Sequence, residues 1–438
     1  YSMLFDLAII GKGLIGAAAA RHASLISTPS PPNSTIPSSS SPPLHNICLI
    51  GPDEKPRNKW TEKDDIFSSH YDEGRITRRT DPDPIWSQLA SASIDRYDDI
   101  YKQSGIDFYK PVGHLAVASP QSSDSLFKRR INALDQGVPY RDLDADELTV
   151  LYPHLKFAPG STAILEDSGA GYISPRSLLK AQVEAAKALG CCQIIPHVAS
   201  RVDNNVSDDG EASFVVTLSN GEVISAKRIL VCTGAFCDAR PLLPDGNGGH
   251  FELDLLRYTA QTVHFHVSEK DATDLLEGGM PSIIYRGDKS EWAYVLPPIQ
   301  YPDGSLRVKL GGSRVDRYNN EEQFDKYRTP GTRSLPTHEH VVEWFRSAGN
   351  SKDFDEMKEM LQAMLPGIQP VKVTSDACAT CKTSSGRPYI GQLCDGLFVA
   401  VGGCGLAAKS SDEIGRLAAF AALSDTGWGL DESLGEEL

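Results

Sequence analysis

Phe5-Asp6-Leu7-Ala8-Ile9-Ile10-Gly11-Lys12-Gly13-Leu14-Ile15-Gly16-Ala17-Ala18-Ala19-Ala20-Arg21 is the stretch on which the rest of the reading depends. A short apolar run leads into Gly-x-Gly-x-x-Gly and then an Ala-rich segment, the order strand, tight turn, helix. Glycines in such a turn let the backbone approach a pyrophosphate, and the helix beyond aims its N-terminus at the negative charge. Gly11, Gly13 and Gly16, with the backbone of Leu14 and Ile15, are therefore candidate dinucleotide-binding residues. The motif alone is a weak signal that an ordinary glycine-rich turn also satisfies; its place after the first strand favours the nucleotide. Such folds end their second strand in an acidic residue that accepts hydrogen bonds from the ribose. Here the second strand, expected at Asn46-Ile47-Cys48-Leu49-Ile50, runs into Gly51, which leaves Asp53 or the adjacent Glu54 for that role.

Working outward, Ser24 to Leu44 is almost entirely Ser, Pro, Thr and Asn. So little apolar surface does not offset the entropy of ordering, and a flexible surface insertion is expected over residues 24–44. Ile85 to Tyr101 has apolar residues at helical spacing and is predicted as one amphipathic helix. Ser174-Pro175-Arg176 opens another, through Leu189. Gln193 to Val198, Phe214 to Val223 and Arg228 to Cys232 read as strands, the last ending at Thr233-Gly234. Alternation dominates Leu255 to Leu310, and Leu397 to Val401 leads into Gly402-Gly403 and a final helix. The chain thus leaves the first domain and returns to it. The expected fold class is α/β, α+β overall, with a GxGxxG-type Rossmann-like nucleotide domain built from residues 1–110, 160–245 and 374–438. A mostly antiparallel substrate domain takes 111–159 and 246–373.

The chain's 438 residues, 40% hydrophobic, are enough for two cores. A net charge of −15 opposes binding to a phosphate backbone, so no nucleic-acid partner is expected. No segment approaches the run of about 18 apolar residues that crosses a bilayer. With polar and acidic residues so early, the reading is a soluble cytoplasmic protein without a membrane partner, and the closing Gly-Glu-Glu-Leu is not the usual peroxisomal signal. Nine scattered cysteines read mostly as free thiols. Cys378 and Cys381 form a C-x-x-C, a redox dithiol or half a zinc site by its spacing, but no second ligand pair follows and no metal is expected.

Several motifs in order make the chain similar to the monomeric sarcosine oxidase branch of the D-amino-acid-oxidase-like FAD oxidoreductases, with its pipecolate, N-methyltryptophan and fructosyl-amino-acid oxidases. Arg75-Ile76-Thr77-Arg78 resembles the family's R-x-x-R, which implies that Arg75 lies against the flavin and Arg78 meets a substrate carboxylate. Arg257-Tyr258 and Tyr294 fall in segments like the substrate-domain strands, Tyr294 near the entrance, with a hairpin insertion around Pro302-Asp303-Gly304. Val308-Lys309-Leu310-Gly311 resembles the K-L-G strand whose lysine faces the flavin opposite the substrate; the family histidine four positions later is Ser313 here. Cys378 lies at the distance from Tyr389-Ile390 of the family cysteine that bonds the flavin, and Cys381 competes with it. Gly402-Gly403-Cys404-Gly405, followed by Lys409, resembles the C-terminal glycine segment, whose lysine joins Arg78 at the carboxylate. Val198, Thr233 and Gly234 match smaller FAD-contacting segments.

The resemblance implies a monomeric FAD enzyme, the flavin covalent through Cys378, that removes a hydride from the carbon beside the nitrogen of a carboxylated secondary or substituted amine and passes the electrons to O2, giving hydrogen peroxide. The catalytic set it implies is Lys309, Arg78, Lys409 and Tyr294. The alternatives are a flavin dehydrogenase with another acceptor, a nicotinamide enzyme, a biosynthetic FAD oxidoreductase of a larger amine metabolite, or a scaffold that keeps FAD structurally.

Overall fold

Leu7 to Ile10 are buried without alternation, the pattern of a strand covered on both faces. A computed structural model, describing residues 4–28, 45–206, 212–288, 291–316 and 328–424, places Leu4–Ile10 at the centre of a Rossmann-like sheet. It pairs in parallel with Ile47–Ile50 on one side and Val223–Val231 on the other. Cys192–Ile195 extends one flank and Leu397–Val401 the other, both parallel, while Ala199–Val206 and Ala212–Leu218 add an antiparallel meander. One face is covered by the helices Leu14–Ser27, Pro175–Ala188 and Ser411–Leu423. The first and last meet through small residues: a Cβ on Gly415 would stand 2.5 Å from that of Ala18.

The second sheet runs in the order Lys372–Thr383, Leu255–Val267, Leu306–Ser313, Trp292–Gln300, Ser282–Arg286, His114–Ala118, Thr162–Glu166, Arg141–Leu143. All neighbours are antiparallel except Ser282–Arg286 with His114–Ala118. Its core is a separate apolar cluster that includes Phe265, Leu310 and Met360. Among the described residues no helix is long and apolar enough to cross a membrane.

The structure departs from the sequence reading in three places. The first helix continues through Ser27, because Ser24 and Ser27 return their hydroxyls to the carbonyls of Ala20 and Ala23 at 2.8 and 2.7 Å and so bury without an unmet donor. Of the expected insertion, residues 29–44 lie outside the described residues, as does the C-terminal Gly-Glu-Glu-Leu. The predicted helix over Ile85 to Tyr101 is two helices, Pro84–Ile94 and Tyr97–Ser104, broken where Arg96 turns to Asp412 and Glu413. The strands Thr162–Glu166 and Lys372–Thr383, assigned by sequence largely to the nucleotide domain, belong to the second sheet. Their hydrogen-bond partners, His114–Ala118 and Leu255–Val267, are distant in sequence and left no local sign.

Asp412 ties the nucleotide-domain helices together. Its carboxylate accepts from Arg21 at 3.1 Å, Gln182 at 2.8 Å and Arg96 at 2.6 Å, with His22 at 3.0 Å. Burial opposes its charge, but His22, Arg96 and Arg21 hold the carboxyl far below the usual range. Asp412→Ala strands the 2%-exposed Arg21 without its anion, and the expected loss is about 3–5 kcal/mol in urea unfolding. A loss under about 1 kcal/mol would show that the helices are joined by apolar packing alone.

Candidate active site

One cavity of about 680 Å³ runs from the glycine turn, between the two sheets, to a cluster of buried cations. At its first end Gly11 has φ +114°, and a Cβ there would stand 2.5 Å from the carbonyl of Cys232. Gly13 caps the helix without any side-chain cap, and the nearest atom a Cβ would meet is Ser68 Oγ at 3.7 Å. The first-turn N–H groups, including those of Leu14 and Ile15, therefore face open space, as an anion site requires. Val198, Thr233 and Gly234 line the same end.

Gly51 explains the missing acidic residue: a Cβ there would fall 2.6 Å from the backbone nitrogen of Lys12, so the glycine turn itself excludes any side chain. Asp53 does not line the cavity: its side chain is 76% exposed and pairs with Lys12. Glu54 does line the cavity, where both its oxygens accept from Arg176, at 2.7–3.0 Å.

In the middle, Gly402, Cys404 and Gly405 all have left-handed backbone, with φ +81°, +51° and +76°. Cys404 is the one non-glycine with positive φ among the described residues. Its N–H donates to Cys381 at 2.8 Å, so the loop is pinned to the strand that carries both C-x-x-C thiols. Three residues apart on that strand, Cys378 and Cys381 project to opposite faces. Burial pushes the Cys378 thiol up, while Arg75 and Lys309 draw it back. Cys381 lies with Cys237 and Cys404, and burial pushes it further up. All nine cysteines are free thiols.

Lys309 is fully buried and does not reach the cavity wall. Its ammonium pairs with Asp72, donates to the Gly74 carbonyl at 2.9 Å and sits 5.4 Å from the ring centre of Tyr294. Asp72 also pairs with Arg75 and accepts from Tyr301 Oη at 2.9 Å. Asp72, Arg75 and Tyr294 form the wall in front of Lys309. Burial and Arg75 lower the lysine to about 8 against the pull of Asp72. Beside this group His70 is kept neutral, its pKa lowered to about 3 by burial and by Arg176. Tyr301 sits at the turn between Trp292–Gln300 and Leu306–Ser313, the hairpin expected around Pro302-Asp303-Gly304. Pro297 and Pro298, which supply no ladder donors, fall in the register shift before it. Ser313 turns away from the cavity to Val315 and Glu356.

At the far end, Arg78 donates to Asp81 at 2.8 Å, and Lys409 lies 3.5 Å from the same carboxylate. Arg78 Nε and Lys409 Nζ are buried without a hydrogen-bond partner. Burial and Arg78 push Lys409 down to about 8, although Asp81 opposes this. Arg129 and Arg286 line the same end.

The structure thus gathers Gly11, Gly13, Leu14, Ile15, Arg75, Arg78, Val198, Thr233, Gly234, Tyr294, Cys378, Gly402, Gly403, Gly405 and Lys409 around one space and leaves Gly16, Asp53 and Lys309 outside it. Asp72, Asp81, Arg129 and Arg286 were missed; only Asp72 and Asp81 had a signal, being acids within three residues of Arg75 and Arg78.

An open helix N-terminus, a left-handed glycine loop and a cysteine on the wall between them suit a flavin dinucleotide. The profile of the DAO family, described as FAD dependent oxidoreductase, matches residues 6–421. N-methyl-L-tryptophan oxidase of Escherichia coli (strain K12) is 25% identical over 250 residues, 56% of each chain, so the chain spans about half the length of that curated relative. The structure of NikD, described as an unusual amino acid oxidase essential for nikkomycin biosynthesis, matches 99% of this chain and 97% of its own at 13% identity and TM-score 0.70. L-proline dehydrogenase from P. horikoshii matches 96% and 93% at 15% identity and TM-score 0.65. At these identities both likenesses speak for the fold alone.

Proposed function

We propose, from the premise that the chain belongs to the DAO family of FAD dependent oxidoreductases, that it oxidises the C–N bond of a carboxylated secondary or N-substituted amine, with O2 reduced to hydrogen peroxide. The observation that carries this is the continuity of the cavity, which joins an anion-binding helix N-terminus to Arg78 and Lys409 in one space. FAD bound there would supply the two-electron acceptor.

The chain's own part is binding and orientation. Gly13 to Ile15 and Gly402 to Gly405 offer backbone to the cofactor, and Glu54 stands nearest for its ribose. Arg78 and Lys409 hold the substrate carboxylate beside Asp81, a charge-assisted contact that fixes the carbon to be oxidised. Ile284, Trp292 and Met357 exclude water from the opposite wall. The amine reacts in its neutral form, since a protonated nitrogen has no lone pair to assist loss of hydride. Tyr294 closes the space between this pocket and the Asp72–Lys309 pair.

Mixing the yellow holoenzyme anaerobically with sarcosine, a cyclic imino acid, a glycated amino acid or an N-(carboxyalkyl) amino acid should bleach the flavin with one of them. Bleaching by none rejects the proposal. Because Asp72 rather than Lys309 faces the cavity, a second reading is a dehydrogenase with a different acceptor. Recovery of colour within seconds of admitting air decides against it.

Covalent attachment goes with Cys378, the thiol beside Arg75 and Lys309, whose charges oppose the upward push of burial and of Asp72. An acid-precipitated pellet is expected to stay yellow in the wild type and in Cys381→Ser and to lose its colour in Cys378→Ser. A colourless wild-type pellet excludes the linkage.

A further inference from the structure

The far end of the cavity holds more positive charge than one carboxylate can meet. Arg78, Lys409, Arg129 and Arg286 all reach it, and the buried carboxylate that meets the first two is Asp81. Glu166, the nearest further acid, is already engaged: it accepts from the backbone N–H groups of Arg79 at 2.8 Å and Thr80 at 2.9 Å and from Thr80 Oγ1 at 2.8 Å. Arg129, 3% exposed, commits one nitrogen to the Thr80 carbonyl at 2.7 Å and meets no carboxylate among the described residues.

Arg286 goes further. It makes no side-chain hydrogen bond or ion pair among the described residues, yet it lines the cavity. It is the last residue of Ser282–Arg286, paired across the strand with Trp292, and its guanidinium lies 5.6 Å from that ring's centre. Stacking on an aromatic face sets the plane of the fork and leaves its N–H edge for a ligand. An uncompensated guanidinium taken out of water is costly unless an anion arrives to meet it. Arg78 and Lys409 approach from the nucleotide domain, Arg129 and Arg286 from the substrate domain, so the two pairs bound one pocket from two sides.

We propose that the substrate is a dicarboxylate, an N-(carboxyalkyl) amino acid, whose first carboxylate is held by Arg78 and Lys409 and whose second is held by Arg286 with Arg129. This deepens the amine-oxidase reading above and rests on it for the reaction, though not for the binding.

Two redox-inert thioethers, with sulfur in place of the amine nitrogen, separate the two. Thiodiacetate carries both carboxylates and (methylthio)acetate one. Titrated into the wild-type holoenzyme and followed by the shift in flavin absorbance, thiodiacetate is expected to bind roughly 10- to 100-fold tighter. Arg286→Met is expected to erase that preference, and Arg286→Lys, which keeps the charge without the fork, to retain part of it. Equal binding by the wild type, binding of neither, or a preference that survives in Arg286→Met overturns the assignment. In turnover, iminodiacetate should exceed sarcosine in kcat/KM by a similar factor. If none of the four amine classes named above bleaches the flavin while the thioether preference holds, the reaction is wrong and the dicarboxylate site stands; if sarcosine and iminodiacetate turn over equally, the reaction stands and the second site does not.

Discussion

Lys309→Met is expected to slow the reaction of the reduced enzyme with oxygen about 100-fold, about 2.7 kcal/mol, while anaerobic reduction by substrate changes little. Negative charge appears on oxygen as it accepts electrons, and a fixed cation in a water-poor site stabilises that charge without solvent having to reorganise. In this site the positive charge belongs to a group rather than to one ammonium. Lys309 is fully buried behind Asp72, which it shares with Arg75, so the group presents one net positive charge to the cavity rather than a bare ammonium. Removing the lysine leaves the group neutral, and the expected effect is of the size that one unit charge exerts over several ångströms at an effective dielectric near 20. Lys309→Arg should therefore keep most of the oxygen reactivity. Lys309→Met combined with Asp72→Asn, which restores one net positive charge through Arg75, should recover part of it. With its pKa lowered to about 8, the lysine is charged below that pH and neutral above it, so oxygen reactivity should fall as pH rises through about 8. Stopped-flow measurement of the two half-reactions checks all of this. Unchanged reoxidation with collapsed reduction would place Lys309 in substrate binding instead.

Amine substrates that lack their carboxylate are expected to lose roughly 30- to 1000-fold in kcat/KM, about 2 to 4 kcal/mol. Arg78→Met and Lys409→Met should each approach that loss with the carboxylated substrate. Asp81 already supplies one anion between these two buried cations. What remains for a ligand is the unbonded Arg78 Nε and the Lys409 ammonium, whose contact with Asp81 is long at 3.5 Å. Lys409 faces Asp81, Arg78, Arg129 and the ring of Trp86. Because its pKa is lowered to about 8, carboxylate binding should be complete below that pH and weaken above it. KM is thus expected to rise between about pH 8 and 9, and Lys409→Met should remove that rise. Decarboxylated analogues that turn over as well as the acids would show that neither cation binds substrate.

The parts of this protein that the sequence by itself determined are those in which a local backbone requirement leaves its mark on a few consecutive residues. Gly11 to Gly16 are legible because a strand that turns into an uncapped helix admits no side chain at Gly11 or Gly16. The left-handed loop at Gly402 to Gly405 is legible for the same reason. The buried parallel strands show as unbroken apolar runs because both of their faces are covered. The end of the first helix was misread because serine composition indicates polarity but not that a hydroxyl can return to the carbonyl four residues back and be buried.

Only the tertiary structure decided which charges meet. Asp72 and Lys309 are 237 positions apart, and Arg21 and Asp412 are 391 apart. Arg286 and Trp292 come together across a strand pair. An arginine or aspartate of this kind looks the same in sequence whether it faces solvent or a buried partner, because the energy of a charge is set by the dielectric and the counter-charge around it, and both are supplied by residues distant in the chain.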